Sequence, residues 1–149
     1  MDFVGGLPLS KRVHDYLYVV VDRFNKMCIF MTCKKQVTVE KTAQLFFQNV
    51  WVHFGLPTSI VSNRDSRFVG NFLSSLWGFM ETKLKKSTTF RPQTDGQTEV
   101  VNITVIHLLH GYCSKNPKLW DEHFHYIQHA YNQAKHSSTQ TSPFEAFFG

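Results

Sequence analysis

The sequence predicts an α/β domain with helices packed on a sheet, and three observations carry that reading. Residues 15–24 (DYLYVVVDRF) are β-branched and aromatic, as a buried strand requires, and a second such run follows at 26–33. The apolar period then changes to a helical one over residues 39–54. The order along the chain is two strands, helix, strand, helix, strand and then helices, which suits a layer of helices on a sheet. With 149 residues and no repeat, low-complexity tract or linker, the chain reads as one domain over 1–149. That length buries a core without disulfides or a structural metal.

Each element has a local reason. The break at Arg23–Lys26 makes the first two strands a hairpin, although its turn lacks an Asn-Gly pair. Asp22 at the end of the first strand reads as a hydrogen-bonding residue rather than a metal ligand. In the first helix Ala43, Phe46, Phe47, Val50, Trp51 and Phe54 form the stripe, Thr38 caps the start, and Gly55 with Pro57 supplies the stop. Residues 58–62 read as a strand, 69–82 as a weakly patterned helix and 84–90 as a short strand. The RPQTDGQ segment is turn-rich, with Thr94 and Gln97 as a capping box. Val101, Val105, Leu108, Leu109 and Tyr112 then form a stripe that places Glu99 in the first turns of a helix. Asn116-Pro117 opens a further helix, with Trp120, Phe124, Ile127, Tyr131 and Ala134 as its stripe, and a last short helix begins after Ser142-Pro143.

Composition narrows the function classes. A hydrophobic content of 42% with 15% aromatic residues excludes a disordered chain. A net charge of +5 permits contact with nucleic acid or anionic lipid without requiring either. Cys28, Cys33 and Cys113 are odd in number and unpaired in spacing, so buried thiols in a reducing compartment are expected rather than a disulfide framework. The first residues lack the pattern of a signal peptide, and no apolar run approaches the roughly 20 residues of a membrane helix, so an intracellular protein without a membrane partner is expected.

Four segments stand out together: MDFVGGLP at the start, GLPTSIVSNRDSRF in the middle, RPQTDGQTEVVN later and HAYNQAKHSSTQTSPFEAFFG at the end. In this order and at these distances the chain resembles, over essentially its whole length, the integrase catalytic core of gypsy-type LTR retrotransposons, especially those of plants. The resemblance implies an RNase H-like fold: a mixed five-stranded sheet flanked by helices. It also implies DNA as the partner, metal-dependent DNA strand transfer, Mg²⁺ or Mn²⁺ at a two-ion site, a homodimer, a nuclear location and no small-molecule substrate.

The family's chemistry depends on two Asp and one Glu, and the matching positions here are Asp2, Asn63 and Glu99. The family spacing survives, since 35 residues lie between positions 63 and 99. By resemblance Asp2 would serve both ions, position 63 one and Glu99 the other. Two ions about 3.5–4 Å apart clamp the attacking and leaving oxygens of an in-line displacement. Asn63 keeps a carbonyl oxygen but no charge, so weaker metal occupancy and turnover lower by orders of magnitude are expected. Asp65 would face the same side of an extended chain, but roughly 6.5 Å further along, too far to replace a ligand directly. Asp2 alone would be a polar residue near a terminus, and Glu99 alone a first-turn Glu favoured by the helix dipole. Only their joint spacing within the four segments singles them out.

For DNA contact the sequence offers Lys83, Lys85, Lys86 and Arg91, whose phosphate contacts would be salt-dependent and indifferent to sequence; a solvated surface explains them equally well. Lys115 and Lys118 form a second group for which the solvated surface is the better account. Gln93, Thr94 and Asp95, with Gly96, match a loop that approaches the DNA end in the family, and Asn102 lies one turn after Glu99. His107 with His110, and His125 with His129, share helix faces but lack a completing ligand set for zinc, so packed or solvated histidines are expected.

The chain also departs from the family. Arg91 stands where His is common, and Ile103 and His110 stand where Arg is common. The resemblance also implies residues ahead of Met1, so the first strand is expected to be truncated. Three readings follow: an impaired integrase core, a non-catalytic nucleic-acid-binding or assembly module, and a decayed fragment of an element.

Overall fold

The computed structural model describes residues 1–55, 57, 59–62, 65, 67–68, 71–79, 89–92 and 96–149, with backbone alone at 59, 73, 77, 79, 89–92, 96–100, 102 and 112–113. The described elements run β1 (Asp2–Val4), β2 (Tyr16–Val21), β3 (Cys28–Cys33), α1 (Val39–Phe46), α2 (Val52–Phe54), β4 (Ser59–Ser62), α3 (Phe72–Phe79), β5 (Thr89–Pro92), α4 (Gly96–Cys113), α5 (Trp120–Gln133) and α6 (Pro143–Phe148). A π turn (Phe47–Trp51) joins α1 to α2, and a 3₁₀ turn (Pro117–Leu119) leads into α5. The α/β class is as expected. Five strands occur among the described residues, but as a three-stranded sheet in the order β1-β2-β3 and a two-stranded sheet β4-β5. Two compact units result, one of Met1–Asp2 with Gln36–Asp95 and the other of Phe3–Lys35 with Gly96–Gly149.

The second of these units is built on the expected hairpin. β2 and β3 are antiparallel, from Tyr16 opposite Cys33 to Val21 opposite Cys28. Asp22 organises the turn: its Oδ1 accepts from the backbone N–H of Phe24 at 2.8 Å and of Asn25 at 3.0 Å. Lys26 takes the left-handed conformation (φ 66°) that the missing glycine would have supplied. Leu17 and Val19 of β2 and Cys28 and Phe30 of β3 are buried with Val101, Val105 and Leu109 of α4 and with Trp120, Phe124 and Ile127 of α5. Of the stripes read from sequence these residues are buried, Leu108 and Tyr131 are partly buried, the Tyr112 side chain lies outside the described residues, and Ala134 ends α5 exposed, in extended backbone. The alternate residue Tyr18 is also buried, with Phe3 stacked on it at 5.0 Å, so both faces of β2 are covered.

β3 is the outer strand of this sheet, and its exposed ladder groups are met by side chains of α5. Asn132 Oδ1 accepts from the Cys28 N–H at 2.9 Å while its Nδ2 donates to the Cys28 carbonyl at 2.8 Å. Gln128 Oε1 accepts from the Phe30 N–H at 2.8 Å. Residues 28 and 30 are two apart and so point the same way across the ladder, and residues 128 and 132 share one helix face. The helix thus closes an edge that would otherwise be open to pairing with another chain.

The loop before β2 is fastened to the start of α5. Trp120 Nε1 donates to the Pro8 carbonyl at 2.6 Å. Asp121, 2% exposed, accepts on Oδ2 from Ser10 Oγ at 2.7 Å and lies 2.9 Å from His14 Nδ1. Between them Val13 holds φ 64°, a conformation costly for a β-branched residue, and the anchors on either side hold it there. Cys28 and Cys33 are buried free thiols, as expected, with the Cys28 thiol pushed well above its ordinary range by burial. Cys113 has no described side chain.

In the other unit α1 begins where the sequence placed it, with Thr38 Oγ1 accepting from the Lys41 N–H at 3.1 Å. The single helix expected over 39–54 is interrupted by the π turn. One extra residue in a turn rotates the following stripe by about 100°. Trp51 is accordingly buried while Phe54 is exposed, and Gly55 at φ 82° ends the run. Phe72 of α3 meets Phe46 edge-on at 5.9 Å and Phe68 at 6.0 Å, which gives this unit an aromatic centre. The helix expected over 69–82 is described as 72–79. The strand expected over 84–90 is described as β5 at 89–92, so Arg91 and Pro92 are strand residues and not part of a turn. The reason is its parallel pairing with β4, Ser59 opposite Thr89 through Ser62 opposite Pro92. Pro92, lacking an N–H, is accommodated at the last position. Residues 84–88 and the Thr94 capping position lie outside the described residues.

Candidate active site

Asp2 is the first residue of β1 and is half-buried. The amine of Met1 donates to the Val61 carbonyl at 2.7 Å, which lays the start of β1 beside the end of β4. β4 closes at Ser62, a fully buried residue. Asn63 itself lies outside the described residues. Glu99 is in the first turn of α4, as the sequence indicates, with its side chain outside the described residues. Asp2 and Glu99 fall in different units.

Asp65 is committed elsewhere. Its Oδ1 accepts from the Arg67 backbone N–H at 2.9 Å and from Arg67 Nε at 2.8 Å, and its Oδ2 from Arg67 Nη2 at 2.6 Å. The Arg67 side-chain hydrogen bond is the main cause holding the Asp65 carboxyl below its ordinary value; partial burial opposes it, and the backbone bond and the charge of Arg67 add to it. Such a fork satisfies a carboxylate in a two-dentate geometry. Both oxygens of Asp65 are thereby engaged by Arg67. Arg67→Met is expected to return the Asp65 titration upward toward the ordinary carboxylate range, read from the pH dependence of its carboxyl carbon resonance. An unchanged midpoint would show that the fork is not the cause. The sign follows: a lowered folded value favours the fold above about pH 4, and that contribution fades as pH falls through the folded value.

The expected DNA-contact residues divide similarly. Lys83, Lys85, Lys86, Gln93, Thr94 and Asp95 lie outside the described residues. Arg91 is on β5 and Asn102 on α4, each with backbone alone described. Ile103, His107 and His110 of α4 are exposed, as are Lys115 and Lys118. His125 and His129 are exposed too, with His129 against the Phe144 ring at 5.6 Å. Among the described residues no three His, Cys, Asp or Glu side chains group as metal ligands. No described helix is long and apolar enough to cross a membrane. The sequence reading passed over Asn132, Gln128 and Asp121. Their signal was a polar residue recurring at core-facing positions of α5.

No family model matches the sequence. The Tf2-3 and Tf2-4 transposon polyproteins of Schizosaccharomyces pombe (strain 972) are each 43% identical over 145 residues, 97% of this chain. That stretch is 11% of each polyprotein, so the chain spans about a tenth of the curated relatives it matches. Among solved structures, the catalytic core domain of HTLV-2 integrase in complex with magnesium, in its trimeric form, superposes with a TM-score of 0.68 at 19% identity, over 97% of this chain and 94% of that one. A simian T-cell lymphotropic virus intasome in complex with the PP2A regulatory subunit B56 gamma gives a TM-score of 0.74 at 18% identity, over 99% of this chain and 54% of that one. The chain is thus homologous to a segment of retrotransposon polyproteins and has the RNase H-like α/β fold of retroviral integrase catalytic cores.

Proposed function

We propose that the chain is the catalytic-core segment of a gypsy-type retrotransposon integrase, of the plant-element kind, that binds DNA and whose strand-transfer chemistry is impaired at Asn63. The observation that carries this reading is the 43% identity to the transposon polyproteins over 97% of the chain, together with the superposition on an integrase catalytic core. Support for treating residues 1–149 as one domain, with β4 and β5 completing a mixed five-stranded sheet, comes from the extent of the superposition on a single integrase core. That core carries magnesium, and the related structures include dimeric and trimeric forms and an intasome, which favours a divalent ion, a homodimer and DNA as partners here.

In this reading Asp2 and Glu99 supply carboxylates and Asn63 an amide oxygen. These are hard oxygen donors, as Mg²⁺ or Mn²⁺ requires, but with one negative charge fewer than the family's set. When bound, the ions would stabilise the attacking and leaving oxygens. Asp2 would hold its carboxylate at the strand start, and Glu99 would approach from the first turn of α4. Asn63 would orient an ion without neutralising it. Lys83, Lys85, Lys86 and Arg91 would contact phosphates, and Gln93, Thr94, Asp95 and Asn102 the DNA end. The location would be nuclear. Asn63 also favours a second reading, a non-catalytic DNA-binding or assembly module.

The unmodified chain is expected to bind a 30-base-pair duplex with an affinity that falls steeply with salt, while joining DNA ends near background in Mg²⁺. Fluorescence anisotropy across a salt series reads the first and gel analysis of joined products the second. Absence of salt-sensitive DNA binding would overturn both readings.

A further inference from the structure

The β2–β3 turn presents Phe24 at its tip, 91% exposed, the most exposed large apolar side chain among the described residues. An exposed phenylalanine on a loose loop would mean little. This turn is fixed. Asp22 Oδ1 accepts from the Phe24 and Asn25 N–H groups, and Asn25 Oδ1 accepts from the Met27 N–H at 2.8 Å. The backbone closes twice more, Asp22 N–H to the Met27 carbonyl at 2.8 Å and Lys26 N–H to the Asp22 carbonyl at 2.9 Å. Lys26 Nζ donates to the Arg23 carbonyl at 2.7 Å. The ring is held out from a turn with little freedom left to lose on binding.

The charge around it is positive. Arg23 is exposed, and Lys26 keeps two further ammonium donors after its bond to Arg23. Neither has a carboxylate within ion-pair distance among the described residues. The Asp22 carboxylate, the acid of the turn, is engaged by backbone N–H groups on Oδ1. His136, in the loop after α5, is held below its ordinary value by burial first and by the charge of Lys26 second.

We infer that the β2–β3 tip is a contact site for single-stranded or unstacked nucleic acid, with the Phe24 ring stacking on a base and Arg23 and Lys26 meeting the flanking phosphates. The inference rests on the reading of the chain as a DNA-binding integrase core, and assigns it a contact at the β2–β3 turn. An aromatic face flanked by cations is the arrangement by which proteins hold unpaired bases without regard to sequence. A hydrophobic protein partner would need a contiguous apolar patch, and Met27, the next apolar residue of the turn, is buried. Membrane attachment scales with the apolar area inserted, and one ring offers little.

The test uses the whole chain with a fluorescein-labelled 15-nucleotide thymidine oligomer and a duplex of the same length. Phe24→Ala is expected to weaken binding of the single strand by about fivefold or more, as loss of one stacked base does, and of the duplex by less than about twofold. Phe24→Trp is expected to retain single-strand affinity. The double variant Arg23→Gln/Lys26→Gln is expected to reduce the salt slope for the single strand by about 1 to 1.5. Equal single-strand affinity for Phe24→Ala and the parent would overturn the site while leaving the DNA-binding reading intact. A parent that binds neither oligomer would overturn that reading itself. Loss of binding to phosphatidylcholine–phosphatidylserine vesicles in Phe24→Ala, with oligomer binding unchanged, would reassign the tip to membranes and end the proposal.

Discussion

Asn63→Asp is expected to raise metal-dependent DNA end joining by about 10²–10³-fold over the unmodified chain, the scale on which losing one aimed electrostatic group in an active site is felt. The change is isosteric, so it alters charge while leaving shape alone. It adds one negative charge at position 63. Two controls make the gain specific: Asp2→Asn and Glu99→Gln, each placed in the Asn63→Asp background, should remove it. Asp65→Asn in that background should not, because Asp65 is occupied by the Arg67 fork. Products are read on gels from labelled oligonucleotides, in Mg²⁺ and in Mn²⁺. Robust joining by the unmodified chain would refute the assignment of Asn63 as a lesion. A folded Asn63→Asp variant that binds duplex DNA with salt sensitivity but joins nothing would move the chain to the assembly-module reading.

The elements were legible in the sequence wherever burial has a period. The β-branched and aromatic run in residues 16–21 supplies Leu17 and Val19, and the stripes through Val101, Val105 and Leu109 and through Trp120, Phe124 and Ile127 complete the core. What was not legible involves the backbone or a partner distant in sequence. The π turn at 47–51 leaves no mark in an apolar pattern, yet it rotates Phe54 out to solvent. β5 is set by its pairing with β4, and a pairing partner thirty positions away has no local signal at residues 89–92. For the site, the sequence places Glu99 in the first turn of α4, where it is found, and the Met1–Val61 bond that sets the start of β1 beside β4 has no local signal. The commitment of Asp65 to Arg67 could only be seen in three dimensions, since Asp and Arg two residues apart in a loop do not generally meet.

The same blindness applied to Asn132, and its replacement should have the largest effect on stability. An Asn among Phe124, Ile127 and Tyr131 reads as a polar intruder on an apolar face, but both ends of its amide are used on Cys28. Asn132 is 1% exposed, so no water can take over those bonds. Asn132→Leu keeps the volume and leaves the Cys28 N–H and carbonyl unpaired. At about 1–3 kcal/mol for each of the two buried unsatisfied groups, the expected loss is about 2–6 kcal/mol. That is a large share of the roughly 5–15 kcal/mol that holds a domain of this kind together. Gln128→Leu strands only the Phe30 N–H at a half-buried site and should cost about 1–2 kcal/mol. Urea unfolding followed by circular dichroism measures both; a loss below about 1 kcal/mol for Asn132→Leu would mean that the strand edge does not depend on the clamp. Asn132→Asp separates hydrogen bonding from packing. An ionised carboxylate can still accept from the Cys28 N–H but sets an oxygen against the Cys28 carbonyl, whereas the protonated acid can donate to it. The introduced group should therefore have a folded pKa above its unfolded value of about 3.9. Its penalty would be full above the folded value and would shrink as pH falls through it, so the Asn132→Asp chain should gain stability relative to Asn132→Leu on acidification. A parallel pH dependence of the two variants would assign the Asn132 contribution to packing instead.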